Sequence, residues 1–310
     1  MYTRYTYAAG ATQANITADL AAILTGETEK NNLSASCDKN NTLIQATIAA
    51  GWALHDSDGG SGSKVLKAPL ADDGTKFKYI RLYSSATTSI RLEVYETWDA
   101  FTNAGTNRCY YSDDVNFAQR LDLTNGGVMH VFSSQRFAML CADTSGGWGS
   151  SVYSGPAGCF ERTRLLPFDT IAYGMPPYVW GNLGYANSST LYGGYAPRIL
   201  NRLEAMQTGV SANVVFSSVG SANILATAPS GSNQKIPNGA GGFYIPFIPL
   251  YISNWTDQMP APYGEISSLC DVWRIPDNLL TNKEVIQKDS VDYMALRTNS
   301  TTAFIVARKG

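Results

Sequence analysis

"KYIRLY" (Lys78–Tyr83) and "SIRLEVYETW" (Ser89–Trp98) decide how this chain is read. In the second run Ile90, Leu92 and Val94 alternate with Arg91, Glu93 and Tyr95. A period of two places one set on each face of an extended strand, apolar inward and polar outward. That is the pattern of a half-buried strand in an antiparallel sheet. Downstream, "QRLDL" and "VMHVF" flank "NGG" at 125–127, which reads as a hairpin with a glycine turn. "RFAMLCA" then reads as a more fully buried strand. Short strands with turn signals between them point to antiparallel sandwich-like domains.

Upstream, "NITADLAAILTG" breaks the pattern. Ile16, Leu20, Ile23 and Leu24 fall on one helical face, with Thr17 as candidate N-cap and Gly26 as stop. "SDGGSGS" (57–63) is a flexible break. The stretch 143–200 is rich in Gly, Pro and Tyr and too aromatic for a disordered linker, so it reads as long ordered loops suited to binding. Strand patterns resume in "ANVVFSS" and "ANILATA", and a final β unit contains "FYIPFIPLYIS", "GEISSLCDVWRIP", "VDYMAL" and "TAFIVARK". The expected fold is mainly β, with antiparallel β-sandwich-like domains, a short N-terminal helix and long ordered loops. The expected divisions are a mixed segment 1–63 with one short helix, a central β-sandwich-like domain 64–200 and a C-terminal β domain 201–310.

Composition narrows the function. Hydrophobic residues are 44% of the 310, enough for a core, whereas charged residues are only 15% and the net charge is −2. No basic excess exists to follow a phosphate backbone, so nucleic acid is not expected as the main partner. No apolar run reaches the ~18 residues that a membrane helix needs. The start "MYTRYTYAAGATQ" lacks a basic end followed by an apolar run, so a standard secretory signal is not expected. Cys37, Cys109, Cys141, Cys159 and Cys270 are odd in number and widely spaced, which favours free thiols.

Catalytic constellations are hard to assemble from these residues. "SGGWGSSVYSGPAGCFERTR" (145–164) offers serines and Cys159, yet lacks a G-x-S-x-G elbow. A base would have to be His55 or His130, and His130 in "VMHVF" is explained by a solvent-facing strand position or an internal hydrogen bond. Cys141 and Cys270 sit in apolar patterns and read as buried, inert thiols. Carboxylates at Asp113, Asp114, Glu161, Asp169, Asp257 and Glu265 cannot be paired from sequence. "YYSDDVN" (110–116) offers oxygen ligands for calcium but lacks EF-hand spacing, and reads as a solvated turn. No catalytic residue, cofactor or metal site is expected. In an extended segment Arg162 and Arg164 share one side with Glu161 opposite, suited to a carboxylate or backbone carbonyls of a neighbour or to a local salt bridge. The aromatic-proline runs "MPPYVW" and "FYIPFIPLYISNW" read as packing or interface residues, with sugar stacking as the competing reading.

In style and order over most of its length the chain resembles virion structural proteins of tailed bacteriophages. The resemblance rests on "MYTRYTYAAGATQANITADLAAILTGE", "NNLSASCD", "SQRFAMLCADT", "GPAGCFERTR", "GEISSLCDVWRIP" and "DSVDYMAL". It implies a non-enzymatic subunit of the tail, baseplate or neck, assembled with itself as a symmetric homo-oligomer and with other virion proteins. It also implies synthesis and assembly in the host bacterial cytoplasm and residence in the virion. The competing readings are a host-contact fibre or receptor-binding protein that recognises surface glycans, and a capsid-decorating protein. A fibre would show repeats or a long trimeric pattern, and none is visible. Contacts between subunits are expected at Glu161, Arg162, Arg164, Trp148 and Tyr153. The 173–195 loop is expected to add Tyr173, Tyr178, Trp180, Tyr192 and Tyr195.

Overall fold

The computed structural model describes residues 2–44, 52–57, 62–70, 73–86, 89–106, 109–110, 123, 125–144, 157–161, 178–182, 198–199, 212–217, 236–237, 243–244, 247, 249–254, 262–275, 280–297 and 304–309. In chain order come β1 (Tyr2–Ala9), α1 (Gln13–Leu24), a 3-10 turn at Lys30–Asn32, β2 (Ala53–Ser57), β3 (Lys64–Leu70), β4 (Asp73–Ala86) and β5 (Ser89–Tyr95). Next are β6 (Thr97–Asp99), β7 (Ala104–Thr106), β8 (Cys109–Tyr110), β9 (Asn125–Ser133), β10 (Phe137–Thr144), β11 (Ala157–Glu161) and β12 (Tyr178–Asn182). Then follow β13 (Arg198–Ile199), β14 (Ala212–Ser217), β15 (Ile236–Pro237), β16 (Phe243–Tyr244), β17 (Tyr251–Asn254) and β18 (Pro262–Glu265). The chain ends with the one-turn helix α2 (Ser267–Cys270), β19 (Val272–Ile275), β20 (Val285–Lys288), β21 (Val291–Arg297) and β22 (Phe304–Arg308).

The fold is mainly β, as the alternation requires, and the named strands pair antiparallel. One sheet has the order β1-β9-β10-β11-β12 and a second β18-β17-β14-β13-β8-β5-β4-β3-β2. A third has the order β19-β22-β21-β20, and β15-β16 and β6-β7 form small ribbons. On β4, Ile80 and Leu82 are buried while Tyr79, Arg81 and Tyr83 stay partly exposed. Ile80 pairs with Val94 and Leu82 with Leu92, so the expected face is kept in register across β5. The other face of β5 departs from the half-buried expectation. Tyr95 is buried against Gly105 and Trp98 of the β6–β7 ribbon, and Glu93 is buried between the Tyr83 and Tyr95 hydroxyls that donate to it.

Helix α1 forms where its apolar spacing predicts, with Ile16, Leu20, Ile23 and Leu24 all buried. Its N-cap is Thr12 rather than Thr17. The Thr12 hydroxyl accepts the Asn15 amide at 3.2 Å, and Thr17 lies one turn inside the helix, buried. Gly26 is the stop, with φ of 98°. Its amide donates to the Ile23 carbonyl at 2.9 Å and that of Glu27 to Ala22 at 2.9 Å, the paired bonds of a Schellman ending. The buried Asp19 carboxylate ties α1 to its surroundings, accepting from the Tyr7 hydroxyl and from the amide and hydroxyl of Ser34.

One local expectation is corrected and another gains a partner the sequence did not announce. The "NGG" motif opens β9 and pairs there with β1, Gly127 opposite Tyr7 and Asn125 opposite Ala9, while the Gly126 amide donates back to the Leu123 carbonyl at 2.9 Å. "GEISSLCDVWRIP" is not continuous strand, because α2 interrupts it. The expected divisions at 63/64 and 200/201 are crossed by strand pairing. β1 pairs with β9, β2 with β3, and β13 with β14. One hydrophobic cluster joins Tyr5 and Leu20, Leu66 and Leu140, and Ile266 and Leu296, which come from all three segments. "QRLDL" apart from Leu123, "ANILATA" and most of 143–200 lie outside the described residues.

Candidate functional site

Lys78 lies two residues before Ile80 on β4, so the strand period carries it to the core face with Ile80 and Leu82. Its ammonium is fully buried and paired with the carboxylate of Glu161 at the end of β11, itself buried. The ammonium also donates to the Gln135 carbonyl at 3.2 Å and lies 5.8 Å from the ring centroid of Trp52. From α2 the Cys270 thiol donates to the Glu161 carbonyl at 3.4 Å. The nine-stranded sheet, the five-stranded sheet and the α2–β19 corner therefore meet at one polar junction. Buried charges persist only when paired and hydrogen-bonded, and this arrangement meets both conditions.

The thiols at this junction serve packing. Burial pushes the Cys159 thiol up to about 12 and that of Cys270 well above its ordinary value, so both are protonated at neutral pH and poor nucleophiles. Cys37, Cys141, Cys159 and Cys270 are free and buried, as the sequence reading has it for Cys141 and Cys270.

A second cluster lies on the five-stranded sheet. His130 on β9 is buried, and its Nδ1 shares a 2.8 Å hydrogen bond with the Tyr2 hydroxyl. The internal hydrogen bond, not the solvent-facing position, accounts for this histidine. Burial, helped by the charges of Lys283 and Arg4 and opposed by Asp143, pulls its pKa down to about 4. Lys283 pairs with Asp143 beside it, and Lys309 lies 5.7 Å over the Tyr2 ring. A neutral imidazole held this way locks β1 to β9.

Of the residues expected at subunit contacts, Glu161 is corrected. It is 3% exposed within the single chain and bound to Lys78, so its carboxylate has no surface to offer a neighbour. Tyr178 and Trp180 stand on β12 opposite Glu161 and Cys159 in the strand register. Arg162, Arg164, Trp148, Tyr153, Tyr173, Tyr192 and Tyr195 lie outside the described residues, as does the "YYSDDVN" loop beyond Tyr110. Among the described residues no group of three or more His, Cys, Asp or Glu side chains is placed to hold a metal ion. No helix among them is long and apolar enough to cross a membrane.

Sequence reasoning missed Lys78, although its phase with Ile80 and Leu82 was there to be read. It also missed Phe101, a large apolar side chain exposed on the β6–β7 ribbon, which is signalled only by Asp99, Asn103 and Gly105 around it. No protein-family model matches the chain, and no curated protein matches it.

Proposed function

We propose that this chain is a non-enzymatic structural subunit of a tailed-phage virion, working as a symmetric homo-oligomer in the tail, baseplate or neck. It is made and assembled in the bacterial cytoplasm. The observation that supports the reading is the junction of Lys78, Glu161 and Cys270, where a buried ion pair and a buried thiol tie the nine-stranded sheet, the five-stranded sheet and helix α2 together. A scaffold of this kind transmits load between sheets and presents loops rigidly. The charge-poor surface, with 15% charged residues, suits broad neutral contacts between subunits. Glu161 also anchors the point from which the chain continues to Arg162 and Arg164, the arginines assigned to the subunit contact.

The test is to locate the chain in purified particles grown from its source genome. Density for many symmetrically placed copies is the expected result, and particles that lack the chain overturn the reading. In the same particles, joint Arg162→Ala and Arg164→Ala substitution is expected to lower occupancy of the chain. Unchanged occupancy removes these arginines from the interface.

A further inference from the structure

The four-stranded C-terminal sheet is clasped to the five-stranded sheet by an ion pair, and His130 lies beneath the clasp. Lys283, just before β20, pairs with Asp143 on β10. The backbone under Lys283 is fixed, with a left-handed φ of 69°. Its amide donates to the Ala295 carbonyl of β21 at 2.7 Å, and the Ala295 amide to the Glu284 carbonyl at 2.8 Å. The ammonium is therefore aimed at Asp143 by the sheet that carries it, yet its side chain is 37% exposed and has water to turn to.

Arg4, His130 and Cys141 stand opposite one another in a row across β1, β9 and β10. Asp143 is two residues beyond Cys141, so it shares the face of the imidazole as its diagonal neighbour, with Cβ atoms about 7 Å apart. His130 is 3% exposed. Its Nδ1 is taken by the Tyr2 hydroxyl, whereas its Nε2 is buried with no hydrogen-bond partner among the described residues. The charges that act on the ring are Lys283 and Arg4, which oppose a proton, and Asp143, which favours one. The Tyr2 hydroxyl and Cys141 thiol beside it stay protonated and neutral, because burial pushes both up. Lys309 stands 5.7 Å over the Tyr2 ring, and the Arg4 guanidinium is engaged by the Asn41 carbonyl at 3.1 Å. Of the cations named, Lys283 is the one bound to the carboxylate that a charged imidazole would also need.

We propose that His130 and Lys283 compete for Asp143, so that a proton on His130 draws the carboxylate to Nε2, expels the Lys283 ammonium into water and opens the clasp between the two sheets. The step takes up one proton from solvent, breaks one ion pair and forms another. In the clasped state the imidazole is held down to about 4, and in the open state, reached by water, it returns toward 6.5. The open form therefore gains about tenfold for each pH unit lost between those values. Cys141, buried opposite His130, reports the opening. Cys37, buried where it bridges Tyr7, serves as the internal reference.

The test is labelling of the full chain at pH 7 and pH 5 with a pyridyl disulfide, which reacts with thiols in acid as well as at neutral pH, followed by mass mapping of the modified peptides. The ratio of Cys141 to Cys37 labelling is expected to rise about tenfold or more at pH 5. His130→Gln has no ring charge to gain, and Lys283→Met has no cation to expel, so each is expected to lose most of that rise. A wild-type ratio that stays level overturns the switch. A full rise retained in His130→Gln overturns it as well, and should that variant fail to fold, a full rise retained in Lys283→Met does the same.

Discussion

At Lys78 the strand period and the chemistry of the side chain pull in opposite directions. Position two before Ile80 demands the core, and an ammonium demands water or a partner. Glu161 resolves the conflict, and that makes each charge dependent on the other. Lys78→Met leaves a buried carboxylate unpaired and is expected to cost about 3–5 kcal/mol in urea unfolding. The joint change Lys78→Met with Glu161→Leu removes both charges and is expected to recover most of that loss. A single substitution costing under about 1 kcal/mol would contradict a closed junction. His130 gives the residue scale its pH dependence. Its folded pKa is depressed from 6.5 to about 4, so between those values the unfolded chain binds a proton that the folded chain does not. Stability is therefore expected to fall as pH drops through that window, by about 3 kcal/mol at its lower end. Other carboxylates titrate nearby, so the measure is the difference between wild type and His130→Gln, which is expected to lose less stability between pH 7 and pH 4. Identical pH profiles would remove His130 from this role.

At the scale of the element, α1 and the β6–β7 ribbon depend on single small residues. Gly26 sits at φ of 98°, and Gly26→Ala is expected to cost about 1–2 kcal/mol through the helix ending, while Thr12→Ala costs about 1 kcal/mol through the N-cap. Gly105→Ala drives a methyl into the Tyr95 ring and is expected to loosen the ribbon, read as lost hydrogen-exchange protection at the Glu96 amide, which donates to the Thr106 carbonyl. Protection equal to wild type would show that the close approach is not what holds it. Elements of this kind differ in how far they can be read ahead of the structure. Ile80, Leu82 and Val94 are legible because alternation is a local property of one strand, and Ile16 to Leu24 because helical spacing is equally local. The cap was misread because Thr12 and Thr17 are both hydroxyl residues near the helix start. Only the path of the chain out of β1 selects between them. The pairing of "NGG" with β1 was missed for a related reason. Its partner is β1, more than a hundred residues upstream, and no local pattern announces a pairing of that reach.

For the whole molecule, strand pairing crosses both expected boundaries, because the strands that complete each sheet come from distant parts of the chain. β1 closes one edge of a sheet formed otherwise by residues 125–182, and β14, β17 and β18 extend the sheet begun by β2–β5. The candidate site follows the same logic. Lys78, Glu161 and Cys270 span nearly 200 residues of sequence, so the junction could be seen only once the sheets were stacked, whereas the exclusion of a local nucleophile motif could be read directly. Among the described residues the buried Lys78–Glu161 pair joins the two large sheets, and the proposed role for such a scaffold is a fixed place among copies of itself. The mass of the native particle in solution tests that claim most directly. Sedimentation velocity on the purified 33.5 kDa chain is expected to give one discrete multimer that persists on dilution. A single species at the mass of one chain, unchanged at the highest concentration reached, would contradict the account.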